Sequence, residues 1–203
     1  MKSNAAPAAR RTYRQGARAE AAEATGRRIV AAFQEAMRDQ WLEDITLDRV
    51  AQAAGVTVQT LIRRFGGKEG LLAAVRDHMG REVLARREAP VGDIERAVTN
   101  VCIDYEASGD MIVRTLFQEE RFPVLKPMLD LGRAGHRRWV ASVAEPWLAP
   151  LADDVRKVAL DALVAALDVY VWKLLRRDLG RSAEETRAAM LRLARSAVDQ
   201  SRN

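Results

Sequence analysis

Apolar residues recur at helical spacing along almost the whole chain. Ile29, Phe33 and Met37 lie four residues apart with Val30 beside them, which is the core-facing stripe of an amphipathic helix. Similar stripes continue towards the end of the sequence, and no stretch alternates apolar and polar residues as a half-buried strand does. The pattern predicts an all-α protein whose first helix covers about residues 22–40.

Two short helices around a glycine turn are predicted between residues 46 and 65. Ala51 is small enough to let two crossing helices approach closely, and Gly55 can adopt the positive φ that reverses the chain. Leu61 can fill the space between the helices, and Thr57 can cap the second one. This spacing is typical of a helix-turn-helix, although an ordinary helical hairpin with a solvated polar face has the same pattern.

The second of these helices presents polar residues opposite Leu61 and Phe65, which hold it on the core. In the major groove Gln pairs with adenine, Arg pairs with guanine, and Thr or Val contacts a thymine methyl. A capped helix N-terminus favours phosphate, and Lys68 begins the next helix where a phosphate would lie close. The candidate DNA-binding residues are Thr46, Thr57, Val58, Gln59, Thr60, Ile62, Arg63, Arg64 and Lys68.

Residues 27–72 also resemble a known family without a gap. RRIVAAFQEAM (27–37) and ITLDRVAQAAGVTVQTLIRRFGGKEGLL (45–72) are similar to the DNA-binding domain of the tetracycline-repressor (TetR) family, and YVWKLLRRDLGRSAEETRAAMLRLA resembles its last two helices. The resemblance implies a dimeric transcriptional regulator. Members usually carry a phosphate-bonding Tyr where this chain has Ile62, so we expect a neighbouring arginine to replace that contact.

Turn residues divide the rest of the chain. Pro90 cannot extend a helix that begins near Lys68, and Asp93 can cap the next one, so residues 89–92 mark a boundary. Further helices are predicted near 93–107, 109–120, 124–145, 153–178 and 183–200. We therefore predict a basic flexible arm (1–20), a three-helix helix-turn-helix DNA-binding domain with its connecting helix (21–88) and a helical ligand-sensing and dimerisation domain (89–203).

Positive charge is concentrated at the beginning of the chain. Residues 1–19 contain no acidic residue and five basic ones, so this segment alone carries +5, which equals the net charge of the whole chain. The five are Lys2, Arg10, Arg11, Arg14 and Arg18. The Ala, Pro, Ser and Gly residues around them predict an arm that is disordered in the free protein. Such an arm either contacts phosphate or the minor groove, or remains a solvated tail.

The helix predicted over 153–178 is apolar on more than one face. Such a helix must be covered on both sides, by its own core and by either another core layer or a second subunit. The last helix has a similar surface, and two such helices per chain would form the four-helix dimer interface that the resemblance implies. The candidate interface residues are Ala162, Ala166, Ala189, Met190, Leu193 and Ala197.

Apolar stripes between residues 93 and 145, with part of the following helix, could enclose a ligand. Most stripes of this kind are simply core, but several polar groups among them could orient a largely apolar ligand. The candidate ligand-binding residues are Cys102, Tyr105, Ile112, Leu116, His136, Trp139, Asp168, Tyr170 and Trp172.

Other classes of function lack support in the sequence. His78 and His136 stand in no recognisable nucleophile or metal spacing, so no catalytic residue, metal ligand or cofactor is predicted. Cys102 is the single cysteine, which excludes an internal disulfide and suits a reducing cytoplasm, and its simplest role is that of a small core residue. The apolar run from Val155 to Leu175 is interrupted by charges, so we expect neither a membrane span nor a secretion signal.

The sequence thus predicts a cytoplasmic homodimer that binds a palindromic operator and is released by an unknown small molecule, and so acts as a repressor. The alternative is a dimeric helix-turn-helix protein that has no small-molecule ligand and is controlled by a protein partner or by its own abundance.

Overall fold

The structure is a computed structural model that describes residues 7–200, with the side chains of 7–15, 17, 79, 81, 82, 84 and 200 left out of the description. The part of the chain so described is helical and contains no strand, which confirms the all-α prediction. Its contacts divide the chain into two compact units, Met1–Val75 and Arg76–Asn203. The division falls inside a helix, whereas the turn residues suggested a boundary at 89–92.

The first unit contains α1 (Pro7–Asp39), α2 (Leu47–Ala53), α3 (Val58–Phe65) and the beginning of α4 (Lys68–Arg86). Its core is formed by fully buried apolar side chains from α1, α3 and α4. These are Ile29, Phe33, Leu61, Leu71 and Val75. The predicted stripe on the first helix is therefore the face that packs against the helix-turn-helix.

Helix α1 is longer than predicted. It begins at Pro7, whereas the prediction placed its start near residue 22 and treated residues 1–20 as a flexible arm. Proline is well tolerated in the first turn of a helix, and the alanines and arginines that follow have high helix propensity, so Gly16 does not end the helix. Lys2 and the rest of residues 1–6 lie outside the described residues.

The second unit contains the end of α4 and the helices that follow it. These are α5 (Ile94–Phe117), α6 (Lys126–Val143), the short α7 (Glu145–Leu148), α8 (Asp153–Ala166), α9 (Val169–Lys173) and α10 (Ala183–Gln200), with a 3-10 turn at Pro123–Leu125 and a π-helical turn at Leu174–Asp178. Helix α10 packs against both α8 and α5, and α5 also packs against α9. Their shared core is apolar, with Trp172 and Met190 fully buried within it.

The predicted break between two helices near residue 108 is wrong, because α5 passes through it. The Ser108 hydroxyl donates to the Asp104 carbonyl within the helix, at 2.7 Å. Gly109 is needed for packing: a Cβ added there would lie 2.4 Å from the ring of Trp172. At Gly109, where the prediction ended one helix and began the next, α5 continues and the indole of Trp172 packs against it.

The prediction of one continuous helix over 153–178 is also wrong. Helix α8 ends at Ala166, and Asp168 begins α9 by accepting a hydrogen bond from the Tyr170 backbone N–H at 2.9 Å. The last helix follows the prediction, and its capping box forms as expected. Ser182 Oγ accepts from the Glu185 N–H at 3.1 Å, and the Glu185 carboxylate accepts from the Ser182 N–H at 2.8 Å.

The contact between Gly109 and Trp172 yields a stability prediction. Gly109→Ala should lower the free energy of unfolding by about 1–3 kcal/mol, because the added methyl overlaps a fully buried ring. Gly132→Ala in α6 is the matched control, since a Cβ there meets nothing within 4 Å, and it should stabilise the protein by up to about 1 kcal/mol. Urea denaturation measures both values. A Gly109→Ala protein as stable as the control would contradict the packing.

Candidate functional site

Backbone and capping contacts fix the helix-turn-helix. Gly55 has φ 66°, and the Val56 N–H returns to the Ala51 carbonyl at 2.9 Å, which closes the turn after α2. The Thr57 hydroxyl then caps α3 by accepting from the Thr60 N–H at 3.2 Å. Gly66, with φ 75°, ends α3 in the left-handed conformation. Gly55 and Thr57 therefore have the positive φ and the capping hydrogen bond that the sequence predicted for them.

The accessible face of α3 is short. Gln59, Ile62, Arg63 and Arg64 are exposed, while Val58 and Thr60 are half-buried and Leu61 is fully buried. At the helix starts, Thr57 and Thr46 are exposed, and both hydroxyls accept backbone hydrogen bonds in their caps. This face therefore offers an amide, guanidinium groups and apolar groups, which are suited to base edges in the major groove.

Two of the predicted DNA-binding cations have partners inside the first unit. The Arg64 guanidinium lies on Gly26 of α1, so closely that a Cβ at Gly26 would be 2.5 Å from its nearest nitrogen. The Lys68 ammonium donates to the backbone carbonyls of Leu42 and Glu43, at 2.8 and 3.4 Å. Both cations brace the helices around α3, although Arg64, like Arg63, is also exposed to solvent.

A further brace was not predicted from the sequence. Arg28 Nε of α1 donates to the carbonyl of Ala54, the residue that ends α2, at 3.2 Å. Carbonyls at a helix end have no partner within the helix, so this bond satisfies one of them. Gly26 and Arg28 thus connect α1 to the helices on both sides of the turn. Their roles depend on contacts between residues that are distant in sequence, so they could not be predicted from the sequence.

The second unit contains a buried ion-pair cluster at the end of α4. Asp104 of α5 is 0% exposed and accepts from Arg86 Nε at 2.7 Å and from Arg87 Nε at 2.8 Å. Arg87 is itself buried, with its guanidinium over the rings of Tyr105 and Trp139, 4.8 and 5.7 Å from their centroids. Sequence reasoning missed the cluster, because two arginines at a helix end are ordinarily solvated.

The same cluster determines the tautomer of His136. Its Nδ1 lies 3.3 Å from an Arg87 nitrogen, and because a guanidinium only donates, Nδ1 accepts. Nε2 therefore carries the proton and donates to the Val164 carbonyl, also at 3.3 Å. Burial, followed by the charge of Arg87, lowers the pKa of His136, so the neutral ring is favoured. Trp139 completes the group by donating to the Arg87 carbonyl at 2.9 Å.

Other predicted ligand residues pack against one another. Tyr105 donates to the Leu167 carbonyl at 3.1 Å, Trp172 donates to the Glu106 carboxylate at 2.9 Å, and their ring centroids are 5.9 Å apart. The Cys102 thiol lies 3.7 Å from the Met190 sulfur, and burial raises its pKa to about 11. Cys102, Tyr105 and Trp172 thus have core partners.

The remaining predicted ligand residues lie nearer the surface. Ile112 and Leu116 are half-buried on α5, Asp168 caps α9, and Tyr170 is exposed. The structure therefore brings Tyr105, His136 and Trp139 together around Arg87 but leaves Tyr170 outside that group. A separate open groove of about 620 Å³ lies between α5 and α10, and none of the predicted ligand residues lines it.

The predicted interface residues fall into two classes. Ala166 and Met190 belong to the core of the unit, so placing them on an intersubunit surface is wrong. Ala162 and Leu193 are exposed, and Ala189 and Ala197 are half-buried beside them on their helices. Ala162 is part of an exposed apolar row on α8, whose other members were not among the candidate interface residues although the spacing of three and four residues is visible in the sequence. The row is Val155, Val158, Ala162 and Ala165.

No group of three or more His, Cys, Asp or Glu side chains in the described part of the chain could hold a metal ion. No helix within it has the length and apolarity that crossing a membrane requires.

Comparisons with known proteins agree with the helix-turn-helix. The model of the TetR family of bacterial regulatory proteins matches residues 35–75, which include α2 and α3. A transcriptional regulator from Rhodococcus sp. Rha1 has a similar structure, with a TM-score of 0.67 and 18% identity over 86% of this chain and 96% of that one. No curated protein matches the sequence. Residues 35–75 are therefore similar to the DNA-binding domain of TetR-family regulators, and the chain shares the fold of the Rhodococcus protein.

Proposed function

We propose that the protein is a homodimeric repressor that binds a palindromic operator and is released by a small molecule. The observation that carries the proposal is the short exposed face of α3, held between two caps and braced by α1. In this proposal Gln59 and Arg63 contact bases, and Ile62 contacts a thymine methyl. Thr46 and Thr57 present helix N-termini to phosphates.

The two cations at the end of α3 provide a test of this reading. Arg63→Ala should weaken binding to the operator by about 1–3 kcal/mol and relax the base preference at one position in each half-site. Arg64→Ala is the matched control: it should leave the base preference unchanged, because that guanidinium lies on Gly26. Selection from a random DNA pool, followed by titration of the selected and an unrelated duplex, measures both effects. A changed preference in the Arg64 variant alone would contradict the assignment.

Dimerisation is supported by the exposed apolar surfaces of two helices that pack against each other. Val158 on α8 is 70% exposed and Leu193 on α10 is 48% exposed. A two-fold axis through this surface would place the same residues of both chains in contact and repeat the recognition helix on a palindrome.

Charge placed on that surface should dissociate the dimer. Val158→Glu and Leu193→Glu should each weaken self-association at least tenfold, by burying an unpaired carboxylate in the dimer. Ile103→Glu is the control, since Ile103 is 62% exposed on α5. Ala166→Glu is unsuitable, because Ala166 is buried in its own protomer. Light scattering at micromolar concentration gives the masses. A monomeric wild-type protein, or dissociation by the Ile103 variant alone, would contradict the proposed surface.

Ligand control is supported by the cluster around Arg87. Tyr105, His136 and Trp139 place polar tips and aromatic surface around one buried guanidinium, which suits a mostly apolar ligand with one polar group. The Arg87–Asp104 bond fixes the residue that follows α4, and α4 begins beside α3. A ligand that changes the contacts of Arg87 would therefore alter DNA binding through α4. Protein control without a ligand remains the alternative.

Thermal shift across a metabolite library distinguishes the two readings. A ligand at 100 times its Kd should stabilise the folded protein by about 2.7 kcal/mol. Trp139→Leu should abolish the shift, whereas Trp41→Leu, an exposed tryptophan in the first unit, should retain it. The operator-bound protein should bind the ligand more weakly by the same factor as the ligand weakens the operator. Equal ligand affinities for free and bound protein would exclude control, and the absence of any ligand would favour the alternative.

A further inference from the structure

We propose that the N-terminal part of α1, residues 7–24, is a second DNA-binding surface that contacts backbone phosphates in the sequence flanking the operator. We call this segment the N-terminal extension. The proposal rests on the DNA-binding function and adds to it a surface outside the helix-turn-helix.

The extension is helical, and the part of it whose side chains are described does not belong to the core. Gly16 and residues 18–23 are exposed, and among the described side chains of α1 the first buried residue is Gly26. The 19 residues from Pro7 to Thr25 would extend about 28 Å at the rise of an α-helix. Tyr13 is the one large apolar residue between 7 and 24, so the segment has no stripe with which to join a core, a partner helix or a membrane.

The basic and acidic residues of the extension fall on different sides of the helix. At about 100° per residue, positions 10, 11, 14 and 18, all arginine, lie within an arc of about 100°. Glu20 and Glu23 lie outside that arc, on the opposite side. Such segregation gives the extension one strongly cationic face, whereas a solvated helix has no reason to separate its charges.

Contacts further along α1 relate this face to the helix-turn-helix. By the same rotation, the arc of arginines is bounded by Arg28 and Ile29. Arg28 donates to the Ala54 carbonyl at the turn, and Ile29 is fully buried in the core. Arg64 of α3 covers Gly26 at the point where the extension leaves the core. The cationic face is therefore continuous with the side of α1 that holds the DNA-reading motif.

Phosphate is the partner that this chemistry fits. A cationic face without large apolar residues recognises charge rather than sequence, and it binds by releasing the counterions condensed on DNA. Each phosphate contact adds about 0.9 to the slope of log affinity against log salt concentration. At about 3.4 Å per base pair, the length of the extension corresponds to roughly eight base pairs on each side of the operator.

The test compares full-length proteins on two duplexes, the selected operator alone and the operator with about ten extra base pairs on each side. The variant R10Q/R11Q/R14Q/R18Q removes the charge and keeps good helix-forming residues. The charge-matched control K157Q/R138Q/R181Q/R192Q removes the same number of cations from exposed positions in the second unit. R10K/R11K/R14K/R18K tests whether charge alone is sufficient.

We expect wild-type protein to bind the flanked duplex at least tenfold more tightly than the short one. The glutamine variant should lose this preference, and its salt slope on the flanked duplex should fall by about 2–4 per protomer. The control and the lysine variant should retain both properties. If the glutamine variant has the same salt slope as the control and the same preference for the flanked duplex, the extension is a solvated helix. That result overturns the proposal but leaves operator binding by the helix-turn-helix intact. If wild-type protein binds neither duplex, the DNA-binding function itself fails.

Discussion

A carboxylate with no exposed surface must be surrounded by donors, and this requirement at Asp104 organises the second unit. Burying an unpaired charge costs several kcal/mol, and Arg86 and Arg87 together provide the hydrogen bonds that offset it. Once Arg87 is fixed there, its guanidinium orders Tyr105, Trp139 and His136 around itself. The end of α4 is thereby joined to α5 within the second unit.

In the first unit the corresponding constraint is the close packing of α1 against the helix-turn-helix. Gly26 has no side chain, and for that reason Arg64 can lie across α1. Gly55 supplies the left-handed turn, and Arg28 donates to the Ala54 carbonyl at the end of α2. The exposed polar side chains Gln59, Arg63 and Arg64 lie on α3, and of these Arg64 also lies against α1.

These two arrangements suit a regulator in different ways. A DNA-binding domain needs a rigid recognition helix, and caps at both ends of α3 provide that rigidity. In the proposed function the second unit binds a ligand, and a polar cluster within an aromatic setting offers more contacts for such a ligand than a purely apolar core does. Helix α4 begins in the first compact unit and ends in the second.

The sequence by itself determined the all-α class, the helix-turn-helix and the capping box of α10, because each depends on local spacing: apolar residues on one face, a glycine at a positive φ, or a hydroxyl three residues before a carboxylate. Tertiary structure decided the rest. The predicted break near residue 108 does not exist, because Trp172 packs against Gly109 within one continuous helix, and Ala166 and Met190 lie in the core of their own unit. Arg87 could not be recognised as buried, because its partner Asp104 is distant in sequence, and only folding brings the two charges together.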